Sequence, residues 1–321
     1  MTRRSALLLS LCTVPLLASA IGFGVGYAAS KLEGKAAAPP RQDDAALMVQ
    51  LAGLAPQRPG HPDLFVLGFA GDGSEQVFEN EVLFLRDLAG QRLDAAGRVI
   101  TLSNHAATPP GQPWPEATRA NLRKALAGLG ERMDREQDVL LLYFTTHGTE
   151  DHQLLVRREG RQDRLLTPAM IRQALDESGI RHRVIAISAC FAGGFIDALL
   201  DPDTLVLAAA RPDRASFGCG NDSAATFFGR AWLAGGLNHT LDFSAAFDQA
   251  RLAIATREKA ETLRPSRPQL ARGDRIEGTL AAWRTGVTPG PSLPYPYTDP
   301  EGLDAEAAGL TAPRPPAGTS R

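Results

Sequence analysis

Two segments of this 321-residue chain hold side chains that together could attack an amide. Thr145-Thr146-His147-Gly148 follows the apolar run from Val139 to Phe144, and Ser188-Ala189-Cys190-Phe191-Ala192-Gly193-Gly194 follows the run from Arg183 to Ile187. A thiolate is a strong nucleophile, and an imidazole can take the thiol's proton and later return one to a leaving amine. The small residues around Cys190 leave room for a substrate backbone, and the amides of Gly148 and Cys190 could donate to a developing oxyanion. A Cys that begins a helix also feels that helix's positive end, which favours the thiolate. Taken singly, a Cys after an apolar strand reads as a small buried hydrophobe and a lone His as a structural residue. Their joint placement after two apolar runs is what points to catalysis.

The elements that must position this pair alternate in type. Leu64 to Ala70 is an apolar run closed by Gly71-Asp72-Gly73, and Val77, Val82, Leu83 and Leu85 then recur at helical spacing. Arg98 to Leu102 reads as a second strand, and Leu122, Ala125, Leu126 and Leu129 form a helical face ending near Gly130. Val139 to Phe144 is a third strand, continuous enough to be buried on both faces as parallel strands are. Residues 153–156 and 164–166 read as a hairpin, and Thr167-Pro168 as the cap and first turn of a helix. Arg183 to Ile187 is the fourth strand, a short helix starts near Phe191, and Thr204 to Ala208 is the fifth strand. Helices near 223–235 and 243–262 follow. This alternation predicts an α/β fold with a mostly parallel sheet, helices on both faces and a site beyond the carboxyl ends of the strands. Neighbouring strands lie about 4.8 Å apart, so side chains leaving the ends of the third and fourth can converge.

The two ends of the chain read differently from the middle. Arg3 and Arg4 precede an uncharged stretch from Ser5 to Ser30, longer than a simple signal-peptide core and long enough to cross a bilayer. Residues 1–30 are therefore expected to be a signal-anchor or signal peptide, with cleavage near Ala18-Ser19-Ala20 as the alternative to anchoring. The positive-inside rule then places the rest of the chain outside the cytoplasm. It would be held on the inner membrane with a periplasmic domain, or be free in the periplasm after cleavage. Residues 31–59 read as a flexible linker, 60–285 as one globular domain, and 286–321 as a Pro-rich disordered tail.

A net charge of -2 predicts no nucleic-acid partner, and 44% hydrophobic residues with 22% charged suit a soluble domain with a real core. Arg greatly outnumbers Lys, which stands only at 31, 35, 124 and 259; the bias suggests a GC-rich, bacterial source. Three cysteines are too few for a disulfide scaffold. Cys12 lies in the leader, and Cys219 lacks a nearby base, so it is either a buried thiol or a disulfide partner. A bond to Cys190 would abolish catalysis. His61, His105, His152, His182 and His239 show no metal-site spacing, and no metal or organic cofactor is expected.

The stretches Tyr143-Phe144-Thr145-Thr146-His147-Gly148 and Ser188-Ala189-Cys190 resemble the legumain-type cysteine peptidases, with weaker likeness at Ala107-Thr108, Asn121-Leu122 and Arg214 to Cys219. The resemblance covers about residues 62–275. It implies a caspase-like three-layer sandwich, with Cys190 as nucleophile, His147 as acid and base and Gly148 as oxyanion donor. Ser216 would lie near the pocket for the residue before the scissile bond. Where that family has Glu, Arg-His and an acidic pocket residue, this chain has Phe191, Val77-Phe78 and Arg230, so a preference for Asn before the cut is not expected. Asp72, Glu75 and Asp222 are polar candidates for an altered pocket, each with a plainer reading as a loop or cap residue.

The expected function is thus an endopeptidase acting on peptides or proteins. Two rival readings use the same features: an inactive envelope scaffold, suggested by the lost pocket residues, and a transamidase using the same dyad.

Overall fold

Apolar runs become parallel strands here because successive side chains enter two different cores. The computed structural model describes residues 42–105 and 114–299. Its strands are β1 (Leu64–Ala70), β2 (Val99–Ser103), β3 (Val139–Thr145), β4 (Leu154–Val156), β5 (Arg164–Leu166), β6 (His182–Ser188), β7 (Thr204–Ala208) and β8 (Gln269–Arg272). Six of them form one sheet in the order β2-β1-β3-β6-β7-β8, parallel throughout except for β8 on β7. β4 and β5 form the expected antiparallel hairpin.

On one face Leu64, Val66, Leu141, Tyr143, Val184 and Ala186 pack against α2 (Gln76–Arg92), α7 (Phe243–Ala260) and α8 (Ile276–Gly286). That core also takes α6 (Phe227–Gly229) and the π-helical stretch Arg230–Leu237 that continues it. On the other face Phe65, Leu67, Leu140, Leu142, Ile185 and Ile187 meet α1 (Gln42–Ala52), α3 (Arg119–Arg132), α4 (Pro168–Ser178) and α5 (Ile196–Leu199). Each fully buried Leu or Phe contributes roughly 1.5–3 kcal/mol, which is why β3 and β6, buried at every position, make a stiff platform. The α/β class, with a mostly parallel sheet between two helical layers, is as the sequence predicts. The cap at Thr167 is present too: its side chain accepts from the Met170 amide at 3.2 Å, and Gly179 closes the helix at φ 67.

Two segments depart from expectation. Residues 42–52, read as linker, form α1, because Leu47, Leu51 and Leu54 at helical spacing meet the side of α3, with Leu51 against Gly128. Gln50 then pairs its side-chain amide with both backbone groups of Thr101, at 3.2 and 2.9 Å, covering the free edge of β2. Residues 288–299, read as disordered tail, run along the body as a strap. Leu293, Tyr295 and Tyr297 pack on the first core, Asn238 exchanges two hydrogen bonds with the Leu293 backbone, and Arg92 donates to the Gly290 carbonyl. Proline limits the chain's freedom before folding, so this order costs less entropy than composition suggests. β8 and α8 went unread.

The leader with Cys12, the linker up to residue 41, Ala107-Thr108 and the tail beyond Asp299 lie outside the described residues. Among the described residues, no helix is long and apolar enough to cross a membrane.

Candidate active site

Sheet register brings the two motifs together. Thr145 and Ser188 are partners in the β3–β6 ladder, and His147 and Cys190 each lie two residues further on. The Thr146 amide donates to the Ser188 carbonyl at 3.2 Å, carrying the pairing one step past the strands. Beyond it the segments touch, since a Cβ added at Gly148 would collide with the Cys190 carbonyl oxygen. Only glycine fits this approach. The β4 side of the hairpin holds the His147 segment from outside: the Leu155 amide donates to the His147 carbonyl at 2.9 Å, and the Thr146 hydroxyl donates to the Leu155 carbonyl at 2.7 Å.

Cys190 does not begin a helix as expected. Phe191 takes a left-handed conformation at φ 58, ψ 18, its amide donating to the Arg214 carbonyl at 2.7 Å, and only then does a four-residue 3-10 turn, Ala192–Phe195, begin. The sulfur is served instead by the 214–219 loop. Ser216 donates its amide to the Cys190 Sγ at 3.3 Å. The neighbouring Cys219 thiol, the contact with Ser216 and the charge of His147 outweigh burial and lower the Cys190 thiol to about 6. Cys219 moves the other way, its thiol pushed up by Cys190 and by burial. Both thiols are free.

A pH dependence follows. Alkylation of Cys190 by iodoacetamide should rise through a midpoint near pH 6 and level off above it, whereas an ordinary thiol titrates near 9.0. Mass spectrometry should place the label on Cys190 and leave Cys219 unmodified at neutral pH. A midpoint above 8 would contradict the arrangement.

The His147 ring is held by three contacts: Nε2 lies 2.7 Å from Glu75 Oε2 and 3.9 Å from Asp72 Oδ2, and Phe78 meets the ring edge-on at 5.3 Å between centroids. Within the described residues its hydrogen bond is to Glu75 and not to Cys190. Asp72 and Glu75, paired in the sequence as loop or cap residues, separate in the structure. Asp72 makes the turn, accepting from the Ser74 amide at 2.9 Å and hydroxyl at 2.6 Å. Glu75 occupies the cap position of α2 but makes no side-chain cap bond. Asp72, Glu75 and His147 offer ligand atoms within 4.8 Å of one another, yet Arg157 stands 3.3 Å from Asp72 and already supplies positive charge, which makes this an ion-pair cluster rather than a metal centre.

The other sequence candidates scatter. Ser216 touches the Cys190 sulfur. Asp222 is exposed, its carboxylate beside Gly220. Val77 and Phe78 lie in the core, Phe78 beneath His147. Arg230 is paired with Asp299 at 3.4 Å and covers the Tyr295 ring. His152 packs over Gly194 with its Nδ1 buried and unpartnered, and His182 bonds the Glu136 carbonyl.

Sequence reasoning missed the polar network under the site. Glu81 of α2 is fully buried and accepts from the Tyr143 hydroxyl at 2.7 Å, the Thr145 hydroxyl at 2.6 Å and the Thr226 amide at 2.7 Å. Thr226 in turn bonds Ser188 at 2.9 Å. One carboxylate thus links the ends of both strands that carry the motifs. Its signal was present, as Glu81 falls on the same helical face as Val77 and Phe78.

Residues 121–276 match the Peptidase C13 family. No curated protein sequence matches the chain. Among solved structures, caspase-1 from Spodoptera frugiperda is similar at 12% identity with a TM-score of 0.46, over 68% of this chain and 93% of its own. The family match begins at Asn121 and leaves out the turn after β1, which supplies Asp72 and Glu75, and α2, which supplies Glu81.

Proposed function

Because the chain carries a domain of the Peptidase C13 family, we propose that it is a cysteine endopeptidase working through a thioester on Cys190. The observation that supports this most is the equal offset of His147 and Cys190 from a paired Thr145 and Ser188, with the thiol lowered to about 6. The lowered thiol gives its proton to His147 and attacks a peptide carbonyl as the thiolate. Gly148 and the Cys190 amide donate to the oxyanion, and the His147 imidazolium protonates the leaving amine. His147 then takes a proton from the water that hydrolyses the thioester. Substrates are peptides or proteins. The apolar leader supports export, with the domain tethered outside the inner membrane or released into the periplasm.

The test is a proteome-derived peptide library whose products are sequenced by mass spectrometry, with and without prior alkylation. New termini should appear with the free thiol only, with no enrichment of Asn before the cut. Cleavage that survives complete alkylation would refute the thioester route. Joining of the acyl fragment to the amino terminus of an added peptide as the main product would show transfer in place of hydrolysis.

A further inference from the structure

His147 would serve either direction of proton transfer only if its ring were held in one tautomer, and what holds it is a side chain from outside the family-matched segment. Glu75 stands where a helix cap belongs, yet it leaves the first amides of α2 without a side-chain bond and places Oε2 2.7 Å from His147 Nε2. Its side chain is largely buried, at 19% exposure, so the bond is partly shielded from water. Asp72 cannot take this role. It is 3.9 Å from the same nitrogen and is committed to Ser74 and Arg157. Phe78, edge-on to the ring, fixes its tilt but offers no acceptor.

We propose that Glu75 is a positioning residue for His147, accepting the Nε2 proton so that Nδ1 is the nitrogen that exchanges protons with Cys190 and the substrate. The proposal rests on the reading of His147 as the acid and base. The charged and titratable groups around this contact are Asp72 and Arg157 on one side, and Cys190 and Cys219 on the other, Glu75 itself acting on Arg157 and on Cys219 through space. Glu75 also stabilises the imidazolium that forms when Cys190 ionises, and that imidazolium favours the thiolate.

Glu75→Gln, nearly isosteric and partly exposed, tests the idea in the full-length chain, with Glu75→Asp as the charge-retaining control. In Glu75→Gln the midpoint for alkylation of Cys190 should rise by about half a unit or more. With the best library peptide, kcat should fall about 10-fold or more at unchanged KM. Glu75→Asp should recover part of both effects. Alkylation is read on the protein alone, so a shifted midpoint without peptide cleavage by the parent supports the positioning role and counts against the peptidase reading. An alkylation profile in Glu75→Gln that superimposes on the parent's, with circular dichroism showing a native fold, overturns the proposal.

Discussion

Replacing Cys190 by Ala should remove peptide cleavage, lowering kcat/KM by roughly 10^3-fold or more, while the fold survives. The size of the effect follows from the site having one reactive thiol. Cys219 sits beside Cys190, but once Cys190 is replaced, burial and the charge of Glu75 still push its thiol up, so it cannot substitute. Stability should change little. The lost sulfur accepts a single backbone bond, from Ser216, and it lies in a partly exposed position where water can replace it. Cys190→Ser should be nearly as inactive, because a hydroxyl in the same contacts stays protonated. Steady-state assay of the best library peptide decides the point, and more than about a tenth of parent activity in Cys190→Ala would place the nucleophile elsewhere.

Glu81→Ala should have the largest effect on stability, a loss of about 3–5 kcal/mol, because it strands three donors inside the core. Tyr143, Thr145 and the Thr226 amide are all buried and give their hydrogen atoms to this one carboxylate. The Gly229 backbone lies against this carboxylate and carries no side chain that could turn into the gap. Burial raises the Glu81 carboxyl above its ordinary 4.5, against the pull of its hydrogen bonds. A carboxyl whose folded pKa is raised contributes stability that is fully present below the unfolded value and is lost as pH rises through the folded one. The parent's margin over Glu81→Ala should therefore be widest at acid pH and narrow from about 4.5 upward. Urea unfolding at several pH values measures both, and a margin under about 1 kcal/mol throughout would mean the donors find other partners.

What could be read in advance follows from how far each residue's environment is set by its neighbours in sequence. The runs at 64–70, 139–145 and 182–188 are buried on both faces, so hydrophobicity alone announced them and, with them, the strand ends that carry His147 and Cys190. β8 escaped because an antiparallel edge strand of Gln269, Leu270, Ala271 and Arg272 is only partly buried and carries no such run. The strap at 288–299 escaped because its backbone is satisfied by distant side chains such as Asn238. Glu75 was named as a cap, which is what its position offers; that it turns to His147 depends on β3 ending two residues before that histidine, a long-range fact. The left-handed Phe191, which delays the expected short helix to Ala192 and so separates its start from the thiol, has no local signature at all.

The strap also bears on the order in which the molecule is made. It ties Gly290 to Arg92, Leu293 to Asn238 and Asp299 to Ala224, contacts that span 198, 55 and 75 positions of chain. Ala224 adjoins Thr226, the residue through which Glu81 reaches the end of β6. During synthesis, at about 5–20 residues per second, the sheet through β7 can assemble well before the strap emerges, but the 224–226 corner keeps a free end until it does. Closing such long loops is slow compared with local helix formation. A nascent chain arrested before residue 288 should therefore present a formed sheet with an unfastened site, and proteolysis of arrested chains should cut first near that corner.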